Sequence, residues 1–363
     1  MDRMRVLFIS YVDFSVAYSG SRVRPRKMLE ALQQKGYDVD TLTGDQSDSD
    51  RKRKVKDVIR ALRENRYDFC YIESPVYPIM KSCDRRLIKK IHEAGIPIGY
   101  FYRDFYRKFP HTVSFGKSLI RVAKDKALDF LQWRTDRVLK YCDIIYLPSE
   151  ESKKLFSYSD MRVLPPAGDN HLPGTGKQLN YTCIYVGGIT GQYDGEFLLD
   201  SFGELVKRDS RYKLILVCRS EEWEKFDHKY KYEEWLKVYH ASGDELSALY
   251  NQAQAALIIH KDDAYNRYAI PVKTFEYMSY GLPVVSVRIK ALADFIGDEK
   301  TGVVIDPQPE KMADGIQSLM DNQETYDRYF EQVKEALLTR HLWKHRVDTI
   351  VGDLLPMRSM FEE

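Results

Sequence analysis

Ile270-Pro271-Val272-Lys273-Thr274-Phe275-Glu276-Tyr277-Met278-Ser279-Tyr280-Gly281-Leu282-Pro283-Val284-Val285-Ser286 is the stretch on which the reading of the fold and of the chemistry turns. It spells a loop, a short helix, a glycine stop and a buried strand. Pro271 suits the boundary just before or at the first helical position, and Gly281 the helix end. Lys273 then stands beside the helix N-terminus, where unpaired N–H groups and the helix dipole already favour an anion. Glu276 follows one turn on, on the same face. A cation and backbone donors for a diphosphate, with a carboxylate close by for hydroxyl groups, suit a nucleoside diphosphate. The plain alternative is a solvated lysine–glutamate pair on a helix surface. Thr274, between the two, joins the candidate set.

Strand–helix alternation extends outward from this segment in both directions. Downstream, residues 291–296 read as helix and 302–305 as strand. Upstream, strand 183–186 runs into Gly187-Gly188, then come a helix near 195–208, strand 213–218, helix 243–253 and strand 255–259. The first half has the same plan: an apolar run at 5–10, a loop with Ser19-Gly20-Ser21, helical spacing from Val23 to Leu32 and strand 37–43, a βαβ unit. A basic helix at 51–66, strand 68–73, helix 83–94, strand 97–102, a long helical region at 115–141 and strand 143–147 follow. Continuous apolar strands alternating with helices predict parallel sheets covered on both faces. The turn-rich run Leu164-Pro165-Pro166-Ala167-Gly168-Asp169-Asn170, with Pro173-Gly174-Thr175-Gly176 after it, reads as an interdomain linker. At 363 residues the chain is long for one core. The expected architecture is α/β, two doubly wound Rossmann-like domains facing across a cleft.

Composition removes several classes of function. Cys70, Cys83, Cys142, Cys183 and Cys218 form no CxxC, and the eight histidines no HExxH, so reduced thiols and no zinc site are expected. Asp38-Val39-Asp40 and Asp48-Ser49-Asp50 are D-x-D only by spelling, one in a strand and one in a polar loop away from Lys273. No metal and no cofactor are expected. The opening apolar run is too short for a signal peptide, and no run nears the ~20 residues of a membrane span, so a cytoplasmic protein is expected. Nucleic acid is not an expected partner. Charge is uneven: residues 1–170 hold 33 Lys and Arg against 23 Asp and Glu, and the remainder 23 against 31. The basic half faces either anionic lipid or a phosphorylated acceptor, or simply water. Residues 115–134 carry Leu119, Val122, Phe130 and Trp133 among Lys117, Lys124, Lys126 and Arg134. Such a helix either lies on an anionic membrane surface or packs its stripe into a core.

In this order the segments resemble the retaining glycosyltransferases of family 4, which have the GT-B fold. Residues 270–286 look like the subgroup with Pro-x-Lys-x-x-Glu-Tyr-Met before the glycine. Leu7-Phe8-Ile9-Ser10 with Gly20 resembles the family's first strand and glycine loop, Leu147-Pro148-Ser149-Glu150 a strand end, and Leu164-Pro165-Pro166-Ala167-Gly168 the linker. Tyr185-Val186-Gly187-Gly188 resembles the opening of the donor domain, and Leu342-Trp343 the start of a final helix that crosses back. The resemblance implies an acceptor domain at residues 1–168, joined by a crossing helix at about 341–363, and a nucleotide-sugar domain at 177–340. It implies transfer from a nucleoside-diphosphate sugar, UDP being the expected carrier, to a hydroxyl of a cell-surface glycan or lipid-linked precursor. The work would be done at the inner face of the membrane. Glu276 would hold the ribose, Lys273 the diphosphate, and Gly20, Gly187 and Gly188 would let backbone approach the donor.

Three departures from the family pattern shift these roles. Tyr268 stands where many members carry a sugar-binding Glu, which leaves Asp262, Asp263, Tyr268 or a backbone amide for the sugar. Gly188-Ile189-Thr190-Gly191-Gln192 offers no Arg or Lys, which throws weight on Lys273. Tyr102-Arg103-Asp104 is similar to an Arg-Asp variant of the family's His-Asp, so Asp104 would orient the attacking hydroxyl and Arg103 offset charge, unless the two only fix the loop. Glu73 is either at the cleft edge or a loop cap. Arg22, Arg24 and Arg26 either meet an anionic acceptor or form a solvated face. Two other functions fit the same fold: a UDP-sugar epimerase, and a glycosyltransferase-like binding protein without catalysis.

Overall fold

The computed structural model describes residues 3–15, 22–64, 67–109 and 119–358. Gly20 and residues 115–118 of the expected basic helix lie outside them. The chain divides into two compact units, Met1–Pro165 with Trp343–Glu363, and Pro166–Leu342.

The first unit contains β1 (Arg5–Ser10), α1 (Val23–Gln34), β2 (Asp38–Leu42), α2 (Arg51–Glu64), β3 (Phe69–Glu73), α3 (Ser82–Glu93), β4 (Ile98–Phe101), α4 (Leu119–Leu139), β5 (Ile144–Leu147), α5 (Glu150–Lys153) and β6 (Met161–Val163). All six strands are parallel, in the order β2-β1-β3-β4-β5-β6. The four residues of β4, all five of β3 and the four of β5 are buried, as strands sandwiched between helices must be. The second unit contains β7 (Thr182–Val186), α6 (Gly195–Arg208), β8 (Lys213–Val217), α7 (Ser220–Lys225), β9 (Leu236–Tyr239), α8 (Gly243–Gln252), β10 (Ala255–Ile258), α9 (Val272–Ser279), β11 (Val284–Val287), α10 (Lys290–Glu299), β12 (Gly302–Ile305), α11 (Pro309–Leu319) and α12 (Gln323–Ala336). Its strands are parallel in the order β9-β8-β7-β10-β11-β12. The direction of winding reverses between β7 and β10, and between β1 and β3 in the first sheet. Ligands of open parallel sheets bind beyond the carboxyl ends of the strands at such reversals. The edge strands β6 and β9 were not legible in the sequence, because short half-exposed strands carry little apolar pattern.

A last helix, α13 (Trp343–Arg358), packs on the first unit, against α1, β3 and β4. Val347, Ile350 and Leu354 are buried, and Tyr146 donates to Asp353 Oδ2 at 3.0 Å. Gly99 makes the approach possible: a Cβ there would lie 2.9 Å from Leu354 Cδ1 and 2.8 Å from the Tyr146 ring.

Two expectations for the first unit need correction. Arg24 neither faces solvent nor waits for an acceptor: its Nε donates to Glu73 Oε1 at 3.1 Å and its Nη1 to the Pro165 carbonyl at 3.0 Å. Its guanidinium lies 3.5 Å from the Phe101 ring centroid. Glu73, fully buried, also accepts from Tyr71 at 2.7 Å and stands on no open edge. The basic residue falls on the inner side of α1, so its charge needs a partner in the core. Arg26 is likewise turned back, donating to the Phe14 carbonyl. Along α4 the correction runs the other way, because Val122, Phe130 and Trp133 are about half exposed and form no core face. Among the described residues no helix is long and apolar enough to cross a membrane. The five cysteines are free, four of them buried.

Arg24→Met leaves the Glu73 carboxylate buried without its partner and should cost about 3–5 kcal/mol in urea unfolding. Arg53→Met removes an exposed i,i+3 partner of Asp50 and should cost less than about 1 kcal/mol.

Candidate functional site

The reversal between β7 and β10 carries the residues that the sequence singled out. β7 ends at Val186, and the chain turns at Gly187 with φ +146°, a conformation that side chains rarely adopt. After Gly188 it loops back to α6, whose first turn is capped by Asp194 accepting from the Phe197 N–H at 3.1 Å. Beyond β10 the chain pairs with that loop: Tyr193 and His260 form an antiparallel bridge, and the Lys261 N–H donates to the Gln192 carbonyl at 3.0 Å. α9 begins nearby with Pro271 as its N-cap and no capping side chain. Tyr277 pins α9 to the sheet, its hydroxyl accepting from the Val186 N–H at 3.1 Å. On the far side Ser279 Oγ accepts from the Asp169 N–H at 2.9 Å, and a Cβ on Gly168 would lie 2.7 Å from the Phe275 carbonyl. The linker glycine therefore fits directly against α9.

Lys273 enters this space from the first turn of α9. Its Nζ is buried, has no hydrogen-bond partner, and lies 4.8 Å from the ring centroids of both Tyr185 and Tyr193. Gly187 forms the floor, since a Cβ there would come within 2.4 Å of Nζ. Burial lowers the Lys273 pKa to about 8, with Glu276 pulling it back up. Burial, and secondly the Lys273 charge, take His260 down to about 3, so its ring is neutral. Burial raises Glu276, Lys273 opposes the rise, and Asp169 adds to it. Tyrosine faces offset part of the cost of a desolvated ammonium but supply no hydrogen bond. The arrangement is a buried ammonium without a hydrogen-bond partner, with an acid one turn along the same helix.

The other expected contacts are placed differently. Thr274 is fully buried and its Oγ1 has no hydrogen-bond partner. Asp262 is engaged by Arg267, with contacts of 2.8 and 2.9 Å. Asp263 accepts from the Tyr265 and Asn266 N–H groups at 2.9 and 2.7 Å, closing the turn that holds Tyr268. Arg103 and Asp104 belong to the first unit, just beyond β4, and pair with each other at 3.0 Å, while the Arg103 N–H donates to Ser74 Oγ at 2.9 Å. Among the D-x-D spellings, Asp40 accepts from Tyr67 at 2.6 Å and Asp48 pairs with Lys54 at 2.8 Å. Among the described residues no group of three or more His, Cys, Asp or Glu is placed to hold a metal ion. The structure thus brings together Lys273, Glu276, Gly187 and Gly188, and adds Tyr185, Tyr193 and His260. The added three end or follow strands that are neighbours only in the sheet, and strand order is not written in the spacing of the chain.

Residues 180–322 match the family model of the glycosyl transferases group 1. The match spans Gly187, Gly188, Lys273 and Glu276 and leaves the first unit outside. A search of curated protein sequences finds no significant match. Among solved structures, WaaG, a glycosyltransferase involved in lipopolysaccharide biosynthesis, is 15% identical over 96% of this chain and 99% of its own, with a TM-score of 0.61. A glycosyltransferase from Rickettsia africae is 10% identical over 98% and 99%, at 0.64. A putative UDP-N-acetylglucosamine 2-epimerase from Listeria monocytogenes is 10% identical over 100% and 97%, at 0.53. At these identities the likeness is one of fold, and the fold is GT-B: two parallel six-stranded sheets with flanking helices.

The lowered Lys273 pKa links folding stability to pH. With a folded pKa depressed below the unfolded ~10.5, the charged lysine costs stability at neutral pH, and the cost fades as pH rises through 8. Lys273→Met should therefore stabilise the protein at pH 7, by roughly 2 kcal/mol in urea unfolding.

Proposed function

We propose that this protein is a glycosyltransferase that moves a sugar from a nucleoside-diphosphate donor, UDP being the carrier, to a hydroxyl of a cell-surface glycan or its lipid-linked precursor, with retention at the anomeric carbon. The observation that carries this reading is the buried Lys273 ammonium without a hydrogen-bond partner at the start of α9, floored by Gly187. A diphosphate there repays the desolvation of the lysine and is stabilised as it leaves, with no metal required. Glu276, on the same helix, takes the ribose hydroxyls. In the first unit Asp104 orients the acceptor hydroxyl and Arg103 balances charge. The group 1 match supports the donor half, and the fold shared with WaaG accords with an envelope glycan as acceptor.

A membrane surface suits such an acceptor. Helices α2, α3 and α4, which pack side by side, together hold sixteen Lys and Arg against seven Asp and Glu. Next to them stand exposed Val122, Phe130 and Trp133 on α4 and Val76, Tyr77 and Met80 on the loop before α3. The Ile79 N–H donates to Thr135 Oγ1 at 3.0 Å, which holds that loop to α4. Basic groups around apolar side chains suit peripheral contact with anionic lipid.

Lys273→Ala and Glu276→Ala should each weaken UDP binding by about tenfold or more, and wild-type affinity in either would remove that residue from the site. UDP should be released from UDP-sugar only when a glycan acceptor is added; conversion of the sugar without acceptor would instead indicate an epimerase. Sedimentation with phosphatidylglycerol vesicles should be lost in Phe130→Ala/Trp133→Ala, and vesicles of phosphatidylcholine alone should not be bound.

A further inference from the structure

The two aromatic walls around Lys273 are not equivalent. Tyr185 lies within β7, is fully buried, and donates its hydroxyl to the Gly188 carbonyl. Tyr193 is half-buried on the turn between Gly188 and Gly195. Its ring lies flush on Gly188, where a Cβ would fall 2.6 Å from Cδ2 and 2.7 Å from Cε2. His260 meets the Tyr193 ring edge-on at 4.8 Å, and its own Nδ1 is buried without a hydrogen-bond partner. Enclosed in this way, the ammonium has no exposed surface. An anion therefore reaches Nζ only if one wall leaves. The strand holds Tyr185 in place, and Tyr193 is the wall that stands on a glycine-rich turn.

Resting on the donor-site reading above, we propose that Tyr193 is a displaceable cover of the diphosphate subsite. In the free protein the face of its ring stands in for the anion, and a phosphoryl oxygen of the nucleotide displaces the ring to reach Lys273. A charge-assisted hydrogen bond to phosphate outweighs an aromatic face, so the exchange favours ligands that carry phosphate. A nucleoside without phosphate has nothing with which to displace the ring. Tyr193 thereby sets how strongly the site prefers diphosphates, and it keeps the ammonium shielded from water while the site is empty.

Two readouts on the full-length protein test this. The first is acetylation of Lys273 by an amine-acylating reagent, followed by mass spectrometry of the peptide. Lys273 should react at least about tenfold more slowly in the wild type than in Tyr193→Ala, and UDP should protect it in Tyr193→Ala. Gly188→Ala, whose methyl pushes the ring aside, should expose Lys273 in the same way without removing the ring. The second readout is calorimetry with UDP: affinity should rise about tenfold in Tyr193→Ala and stay within about twofold in Tyr193→Phe, which keeps the ring. Equal acetylation of wild type and Tyr193→Ala would overturn the proposal. So would unchanged or weakened UDP binding in Tyr193→Ala, which would place the ring on the bound nucleotide instead. If the acetylation contrast held but neither protein bound UDP or another nucleoside diphosphate, the donor-site reading itself would fall, and displacement by phosphate with it. Thermal melting of each variant within a few degrees of wild type shows that the fold is kept.

Discussion

Lys273 places a buried positive charge where its ammonium has no hydrogen-bond partner. Two tyrosine faces surround its ammonium, a glycine leaves room beneath it, and the start of α9 adds its dipole from behind. Much of the second unit serves to hold that charge there. Tyr277 ties α9 to the end of β7, Ser279 and Phe275 hold the linker at Gly168, and the bridge between Tyr193 and His260 closes the far side. An ammonium in such a place persists only because the surrounding elements over-determine its position.

The first unit spends buried charge differently. Arg24 with Glu73, and Arg51 with Asp84 at 2.9 Å, are paired ions in the core. Arg51 also donates to the Ser10 and Gly44 carbonyls at 3.1 Å, so the loops after β1 and β2 are tied through one guanidinium. Arg24 and Arg346 both donate to the carbonyl of Pro165, at 3.0 and 2.9 Å, where the chain leaves this unit. Charges with partners stiffen a scaffold, whereas Lys273 in the second unit is buried without a hydrogen-bond partner. The basic excess of the first half is found on the α2–α4 layer, while the arginines nearest the strand ends are internal.

Much of this was legible in the sequence because it is local. Helix stops at glycines, apolar strands of four to six residues, and the Pro-x-Lys-x-x-Glu-Tyr-Met run all follow from backbone preferences and from the 3.6-residue repeat that puts Lys273 and Glu276 on one face. The departure from the family pattern at Tyr268 points to Asp262 and Asp263 as sugar contacts, and in the structure they meet Arg267 and the turn at Asn266. Local logic also left the stripe on α4 open between core and surface, since periodicity reports a face but not what covers it.

The sequence by itself determined two doubly wound α/β halves, the position of the linker, and a lysine and a glutamate one turn apart at the start of a helix. Only the tertiary structure decided that β7 and β10 lie side by side, and therefore that Gly187, Tyr193 and His260 meet Lys273. Spacing along a chain sets which residues share an element, but strand order follows from how helices cross over the sheet, and burial from everything packed above it. Whether a charge is solvated, paired or left waiting belongs to that second kind of information.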